Sequence, residues 1–233
     1  MNICRKIAAL AAPPSGALVI EVGPGPGGLT RALLERGARV LAIEKDARFL
    51  PLLHTIAAAA EGRLRIIHAD ALLVDEIDLG ATNASVTANL PYNIATPLLV
   101  KWLTNRFRPS NMTLMFQKEV AERIVAAPGS RDYGRLAVLS QVLCETRLLI
   151  NLPSRAFTPP PKVESAVVRL VRRHDPPSEH RLENLRRVTR LAFGQRRKML
   201  RSALASVGGE NLCRQAGVDP TARAERLSVD TFL

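Results

Sequence analysis

Ala17-Leu18-Val19-Ile20-Glu21-Val22, then Gly23-Pro24-Gly25-Pro26-Gly27-Gly28, then Leu29 to Arg36 is the stretch from which the fold follows. An apolar run broken only by Glu21 suits a strand buried on both faces, as in a parallel sheet. The glycine-rich turn after it opens a helix, and Gly23-x-Gly25-x-x-Gly28 has the spacing of a turn that brings backbone close to a bound ligand. Outward from this unit the pattern repeats. Residues 39–43 read as a second strand ending at Glu44, and residues 46–59 as a helix. Residues 64–68 form a third strand ending at Ala69-Asp70, and residues 86–88 the core of a fourth ending at Asn89. A helix over about 95–106, a strand over about 111–117 and a charged helix from Lys118 follow, while residues 2–12 read as a helix stopped by Pro13-Pro14. Strands alternating with helices predict an α/β fold, a doubly wound and mostly parallel sheet.

From Glu145 the rhythm changes. Residues 146–152 and 163–171 read as two strands joined through a proline-rich connection, an antiparallel pair at the sheet's edge. Pro176-Pro177 marks a linker, and residues 181–233 hold short Arg-rich helical stretches with no strand signal. The expected division is a sheet domain over 1–175 and a small helical domain over 176–233.

The net charge is +12 with a pI near 10.7. Residues 1–146 hold 16 Lys and Arg against 13 Asp and Glu, and residues 147–233 hold 17 against 8. A basic C-terminal third is the footprint of polyanion binding. Cys4, Cys144 and Cys213 are far apart and form no C-x-x-C, which fits a reducing cytoplasm and neither a disulfide framework nor a zinc site. No metal is expected. No apolar run approaches a membrane span, and Ile7 to Ala12 reads as part of an amphipathic helix.

The predicted strands end in polar residues, Glu21, Glu44, Asp70 and Asn89, and ligands of open α/β sheets bind across those carboxyl ends. Glu44 fits a ribose-binding acid. Glu21 would repel a pyrophosphate but suits an ammonium, and Pro24 and Pro26 remove N–H donors that a phosphate site would want. Both features point from nicotinamide towards S-adenosylmethionine. The fourth strand runs into Asn89-Leu90-Pro91-Tyr92. The Asn89 side chain and the Leu90 carbonyl offer two acceptors, Pro91 stiffens the turn, and Tyr92 supplies a flat ring, a set able to hold a planar amino-heteroaromatic. A turn with Asn as a helix cap is the plainer alternative.

Five motifs together resemble the ribosomal RNA adenine N6,N6-dimethyltransferases of the KsgA/RsmA type. They are Glu21 to Thr30, Asn89 to Pro97, Gln117-Lys118-Glu119-Val120-Ala121-Glu122-Arg123, Phe157 to Val168, and Phe193-Gly194-Gln195-Arg196-Arg197-Lys198. The resemblance runs from about residue 17 to the end. It implies a class I methyltransferase fold (Rossmann-like, with antiparallel edge strands) plus a small C-terminal helical domain, and S-adenosylmethionine as donor. It implies two adjacent adenosines near the 3′ end of small-subunit rRNA as substrate, a pre-30S-type particle as partner, a cytoplasmic monomer and a role in small-subunit biogenesis. Carried over, Glu21, Gly23, Gly25, Glu44, Asp70 and Asn89 become cofactor contacts. Asn89, Leu90, Pro91 and Tyr92 become the target-adenine site, with Phe157 as a second stacking ring; without the resemblance, Phe157 reads as a loop anchor packed on the core. Lys118, Arg123, Arg155, Lys162, Arg196, Arg197, Lys198 and Arg201 are expected to contact RNA phosphates, Arg197 and Arg201 sharing a helix face by i,i+4 spacing.

Members of that family begin with a Gly-Gln-x-Phe-Leu stretch that closes over the cofactor. Met1-Asn2-Ile3-Cys4 falls inside the corresponding first helix, so that lid is expected to be missing, and Thr231-Phe232-Leu233 stops a turn or two short. Two alternatives stand beside the enzyme: an Erm-type large-subunit rRNA methyltransferase, and a non-catalytic or weakly active RNA-binding assembly factor on the same fold.

Overall fold

A computed structural model describes residues 3–157 and 160–233; Met1-Asn2, expected above to begin the first helix, and Thr158-Pro159 of the proline-rich connection lie outside the described residues. The chain divides into two compact units, residues 1–121 with 147–172, and residues 122–146 with 173–233. Residues 122–146, assigned above to the sheet domain, thus group with the C-terminal helices.

In the first unit, β1 (Leu18–Val22), β2 (Arg39–Glu44), β3 (Leu64–His68), β4 (Ser85–Asn89) and β5 (Asn111–Gln117) pair in parallel. The sheet is completed by β6 (Cys144–Leu152) and β7 (Ser165–Arg172), giving the order β3-β2-β1-β4-β5-β7-β6 with β7 antiparallel to β5. This is the expected doubly wound sheet, with β7 inserted between β5 and β6. The strand order reverses between β1 and β4, and the carboxyl ends of those two strands flank the crevice where such sheets bind ligands.

The helices of this unit are α1 (Ile3–Ala11), α2 (Gly28–Glu35), α3 (Leu50–Ala59) and α4 (Tyr92–Thr104). A core cluster joins Ile7 of α1, Leu33 of α2 and Leu53 of α3 to Val19, Val40 and Leu64 of the sheet. The end of α2 is set by Gly37, at φ +81°, whose N–H reaches the Leu34 carbonyl at 2.9 Å, a left-handed cap that glycine adopts without cost. The helix α4 starts three residues before the expected position because Pro91, at φ −56°, already holds the conformation that leads into a first turn.

α5 (Lys118–Val125) runs from the first unit into the second, which continues with α6 (Arg135–Leu143), α7 (Glu179–Gly194), α8 (Leu200–Ala203) and α9 (Gly209–Gln215). Ser178 caps α7 by accepting the Arg181 N–H at 3.4 Å. Phe193 stacks between Tyr133, edge-on at 6.0 Å, and Phe232 at 5.6 Å. No helix among the described residues is long and apolar enough to cross a membrane.

Candidate functional site

The crevice is built from two loops. The first, residues 23–27, holds Gly23, Gly25 and Gly27 at φ +66°, +53° and +80°. A Cβ on Gly23 would stand 3.2 Å from the ring of Pro91, so the glycine turn and the second loop, Asn89 to Tyr92, lie in direct contact across the switch point. A Cβ on Gly25 would meet nothing within 4 Å and faces open space. Gly27, which the motif spacing did not single out, packs closely against α3. A Cβ there would fall 2.3 Å from Cδ1 of Ile56 on α3, and its left-handed conformation adds strain for any other residue.

Glu44, at the end of β2, is buried and holds the loop: one carboxylate oxygen accepts the Gly25 N–H at 3.0 Å, the other the Asp46 N–H at 2.7 Å. Each oxygen keeps a second lone pair for a hydroxyl donor. Asp70, after β3, accepts from the Leu72 N–H at 3.0 Å and pairs with Lys45 at 2.8 Å, which holds its carboxyl below the ordinary range. Glu21 is the surprise. It is only 1% exposed and its Oε2 accepts from the Thr30 hydroxyl of α2 at 2.7 Å. Burial pushes its pKa up to about 8, with the Glu44 carboxylate adding to the rise and the Thr30 bond opposing it. It therefore lies enclosed against α2, protonated at neutral pH, rather than as an open carboxylate.

In the second loop Asn89 is exposed, and neither its side chain nor the Leu90 carbonyl carries a hydrogen bond among the described residues. Leu90's own side chain is buried and anchors the turn. Tyr92 is half-buried, its hydroxyl 2.6 Å from Oγ of Ser165 at the start of β7. Ser165 is fully buried and stands opposite Gln117 in the β5–β7 ladder. It had no signal in the sequence, since the pair spans 73 residues. Phe157 is half-buried and packs against the core cluster that includes Leu152 and Val167, the position of a loop anchor.

Beneath this site a buried pair ties two elements together. Lys101 of α4, 11% exposed, meets Glu76, 1% exposed, at 2.9 Å and also donates to the carbonyls of Ala71 and Val74. The indole of Trp102 donates to the same Glu76 oxygen at 2.7 Å. The loop after Asp70 is thereby fixed to the helix that begins with Tyr92.

The basic residues divide between the units. In the first, Lys118 pairs with Glu164 at 2.8 Å, and Arg155 and Lys162 are exposed. In the second, Arg123, Arg197, Lys198 and Arg201 are exposed. Arg196 is committed to the fold, donating to the carbonyls of Arg131 at 2.9 Å and Tyr133 at 2.8 Å and lying 3.8 Å from Glu225. The expected helical face shared by Arg197 and Arg201 does not form. α7 ends at Gly194, Gln195 leaves helical geometry at φ −134°, and Arg197 sits in the turn before α8. No cluster of metal-ligating side chains occurs among the described residues.

A switch-point crevice with a glycine turn, an acid after β2 and a polar strand end at β4, closed by an antiparallel β7, defines a class I methyltransferase. Comparison narrows the class. The model of the ribosomal RNA adenine dimethylase family matches residues 1–233, and the chain belongs to that family. It is 61% identical to ribosomal RNA small subunit methyltransferase A of Caulobacter vibrioides, over 100% of this chain and 90% of that one. Identity to the protein of the same name from Phenylobacterium zucineum is 60%, over 100% and 82%. Among solved structures it resembles a dimethyladenosine transferase from Plasmodium falciparum (TM-score 0.80, 27% identity, 99% and 92% covered) and the 23S rRNA methyltransferase ErmE (TM-score 0.75, 26% identity, 99% and 93% covered).

Proposed function

We propose that this chain methylates N6 of two adjacent adenosines near the 3′ end of small-subunit rRNA, giving N6,N6-dimethyladenosine, in the cytoplasm and on a late precursor of the small subunit. The observation that carries the mechanism is the contact of Gly23 with Pro91, which puts the donor loop and the acceptor loop into one crevice. The residues fit S-adenosylmethionine: Gly25 opens onto free space, Glu44 keeps lone pairs for two ribose hydroxyls, and Asp70 offers a carboxylate to an adenine amino group. When bound, that cofactor supplies a methyl group on a sulfonium, a leaving group that needs no metal.

The chain's own work is positioning. The Asn89 side-chain oxygen and the Leu90 carbonyl accept the two N6 hydrogens, which localises the nitrogen lone pair otherwise spread into the ring. Tyr92, locked by Ser165, gives the base a face to stack on. The N6 proton passes to water after transfer. The open position of Asn89 leaves room for a monomethylated amine to re-enter. Alignment and orientation of this kind supply most of the acceleration available without a general base.

Labelled methyl transfer to unmethylated small subunits tests the proposal. Dimethyladenosine near the 3′ end, absent with Asn89→Ala, is the expected result. Labelling of large subunits instead would identify an Erm-type enzyme. Salt-sensitive subunit binding with no incorporation would identify a non-catalytic assembly factor.

A further inference from the structure

The crevice occupies the carboxyl ends of the strands. The amino ends of β1, β2 and β3 carry a second concavity, of about 290 Å³, which the proposed reaction does not use. Leu18, Leu41 and Leu79 form its apolar part, Gly62 and Gly80 its turns, and Arg39, Arg63 and Arg65 its polar groups. The parallel register brings the arginines together. Leu18 stands beside Arg39 and Leu41 beside Arg65, so those four share one face of the sheet. The Val40 N–H bonds the Arg63 carbonyl at 2.7 Å, which sets Arg63 alongside Arg39.

Two of the guanidinium groups are held in place by backbone. Arg63 donates to the Leu34 carbonyl at 2.8 Å and Arg65 to the Leu79 carbonyl at 2.9 Å. Each guanidinium has five N–H donors, so one bond orients it and leaves the others available. Arg39 is exposed and makes no side-chain bond among the described residues. No carboxylate lines the concavity, and none of the three is ion-paired among the described residues. Elsewhere in the same unit Arg5, Arg48 and Arg106 pair with Glu35, Asp46 and Asp75. The unit as a whole holds 18 Lys and Arg against 11 Asp and Glu. Three neighbouring guanidinium groups with no carboxylate among the lining residues concentrate positive potential at this end of the sheet.

We infer that this concavity binds a backbone phosphate of the RNA substrate, on the side of the sheet away from the methyl-transfer crevice; the inference rests on the RNA-directed function proposed above. Planar forks match phosphate oxygens pairwise, and no aromatic ring lines the concavity to hold a base, so the contact positions RNA without reading its sequence. β2 spans roughly 20 Å at about 3.3 Å per residue, so a folded RNA touching both ends must follow the sheet past its edge. A hairpin trimmed to the target adenosines and their immediate neighbours offers the fewest phosphates to that far end.

The test compares Arg39→Glu with Arg31→Glu, an exposed arginine of α2 outside the concavity. Binding to unmethylated small subunits is measured against salt, together with methylation of a short target hairpin and binding of inorganic phosphate. Arg39→Glu should weaken subunit binding on the order of tenfold and reduce the salt slope by about 1–2, leaving hairpin methylation unchanged. Arg31→Glu should do neither. Equal losses in both variants, or an unchanged slope in Arg39→Glu, overturn the inference. Loss of phosphate binding with intact subunit binding also overturns it, assigning the site to a free anion. Absence of methylation by the parent chain, with the slope difference retained, would sink the catalytic proposal and support this one.

Discussion

Glu21 shows how one enclosed carboxyl sets a pH dependence. Its pKa of about 8 in the folded chain stands well above its ordinary value of 4.5. A raised native pKa means the folded state holds its proton where the unfolded state has lost it, so the contribution to stability is complete below about 4.5. It declines by up to roughly 1.4 kcal/mol per pH unit and is lost above about 8. Glu21→Gln keeps the acceptor for Thr30 without the charge. Urea midpoints at pH 5, 6.5 and 8 should therefore fall less steeply in the variant than in the parent, and equal slopes would refute the assignment. Tyr92 makes the second residue-scale prediction. If Tyr92 stacks on the target base as proposed, Tyr92→Ala removes a face worth roughly 1–3 kcal/mol per base and should lower kcat/KM for RNA about 5–150-fold with KM for the methyl donor unchanged. Tyr92→Phe keeps the ring but orphans the buried Ser165 hydroxyl, so its loss should be smaller and partly in stability. A parallel rise in donor KM would show that Tyr92 shapes the cofactor side instead. The places of Glu44 and Asn89 at the ends of β2 and β4, and of Asp70 just after β3, were legible in the sequence because the strands themselves were. Ser165 was not, since the partner of Tyr92 is chosen by strand register and not by spacing.

At the scale of elements, the loop after Asp70 and the helix α4 behave as one piece because Lys101 and Glu76 bind each other away from water. Breaking such a pair from one side leaves the other charge buried and uncompensated, which costs about 3–5 kcal/mol. Lys101→Met should therefore destabilise strongly in urea titrations, and adding Glu76→Gln should recover part of the loss. Since the loop carries Asp70, the single variant should also raise KM for the methyl donor more than KM for RNA; an effect on stability alone would remove Lys101 from any positioning role. β1 and β2 were readable because they are buried, nearly continuous apolar runs, whereas β3 and β4 carry polar residues and were read from their alternation with helices. The fingerprint spacing picks out Gly23, Gly25 and Gly28, yet Gly27 also holds a left-handed backbone, at φ +80°, and faces Ile56 of α3, a neighbour that spacing cannot indicate. α6 has no signature in the sequence because Arg135 to Leu143 is buried along most of its length and carries no amphipathic period.

For the whole molecule, composition located basic charge in the last third, whereas the compact units share it, 18 Lys and Arg against 11 acids in the first and 15 against 10 in the second. Linear counting missed this because the second unit takes residues from two separate stretches. The same interleaving bears on the proposed boundary after residue 175. α6 packs against α7, and Arg173 donates to the Gln141 carbonyl at 3.0 Å and bonds the Leu143 carbonyl through its N–H at 3.0 Å. Cutting after residue 175 removes Leu182, Leu185 and Ala192, the buried face of α7, and leaves Ala137 and Val138 of α6 without their own unit. At roughly 1.5–3 kcal/mol for each large apolar side chain uncovered, such a fragment loses more than a typical domain can spare. Residues 1–175 alone should bind a hydrophobic dye, melt well below the full chain and retain little methyl-donor binding. A fragment that melts cooperatively near the parent's Tm would instead establish 1–175 as an independent folding unit, with residues 122–146 belonging to the sheet.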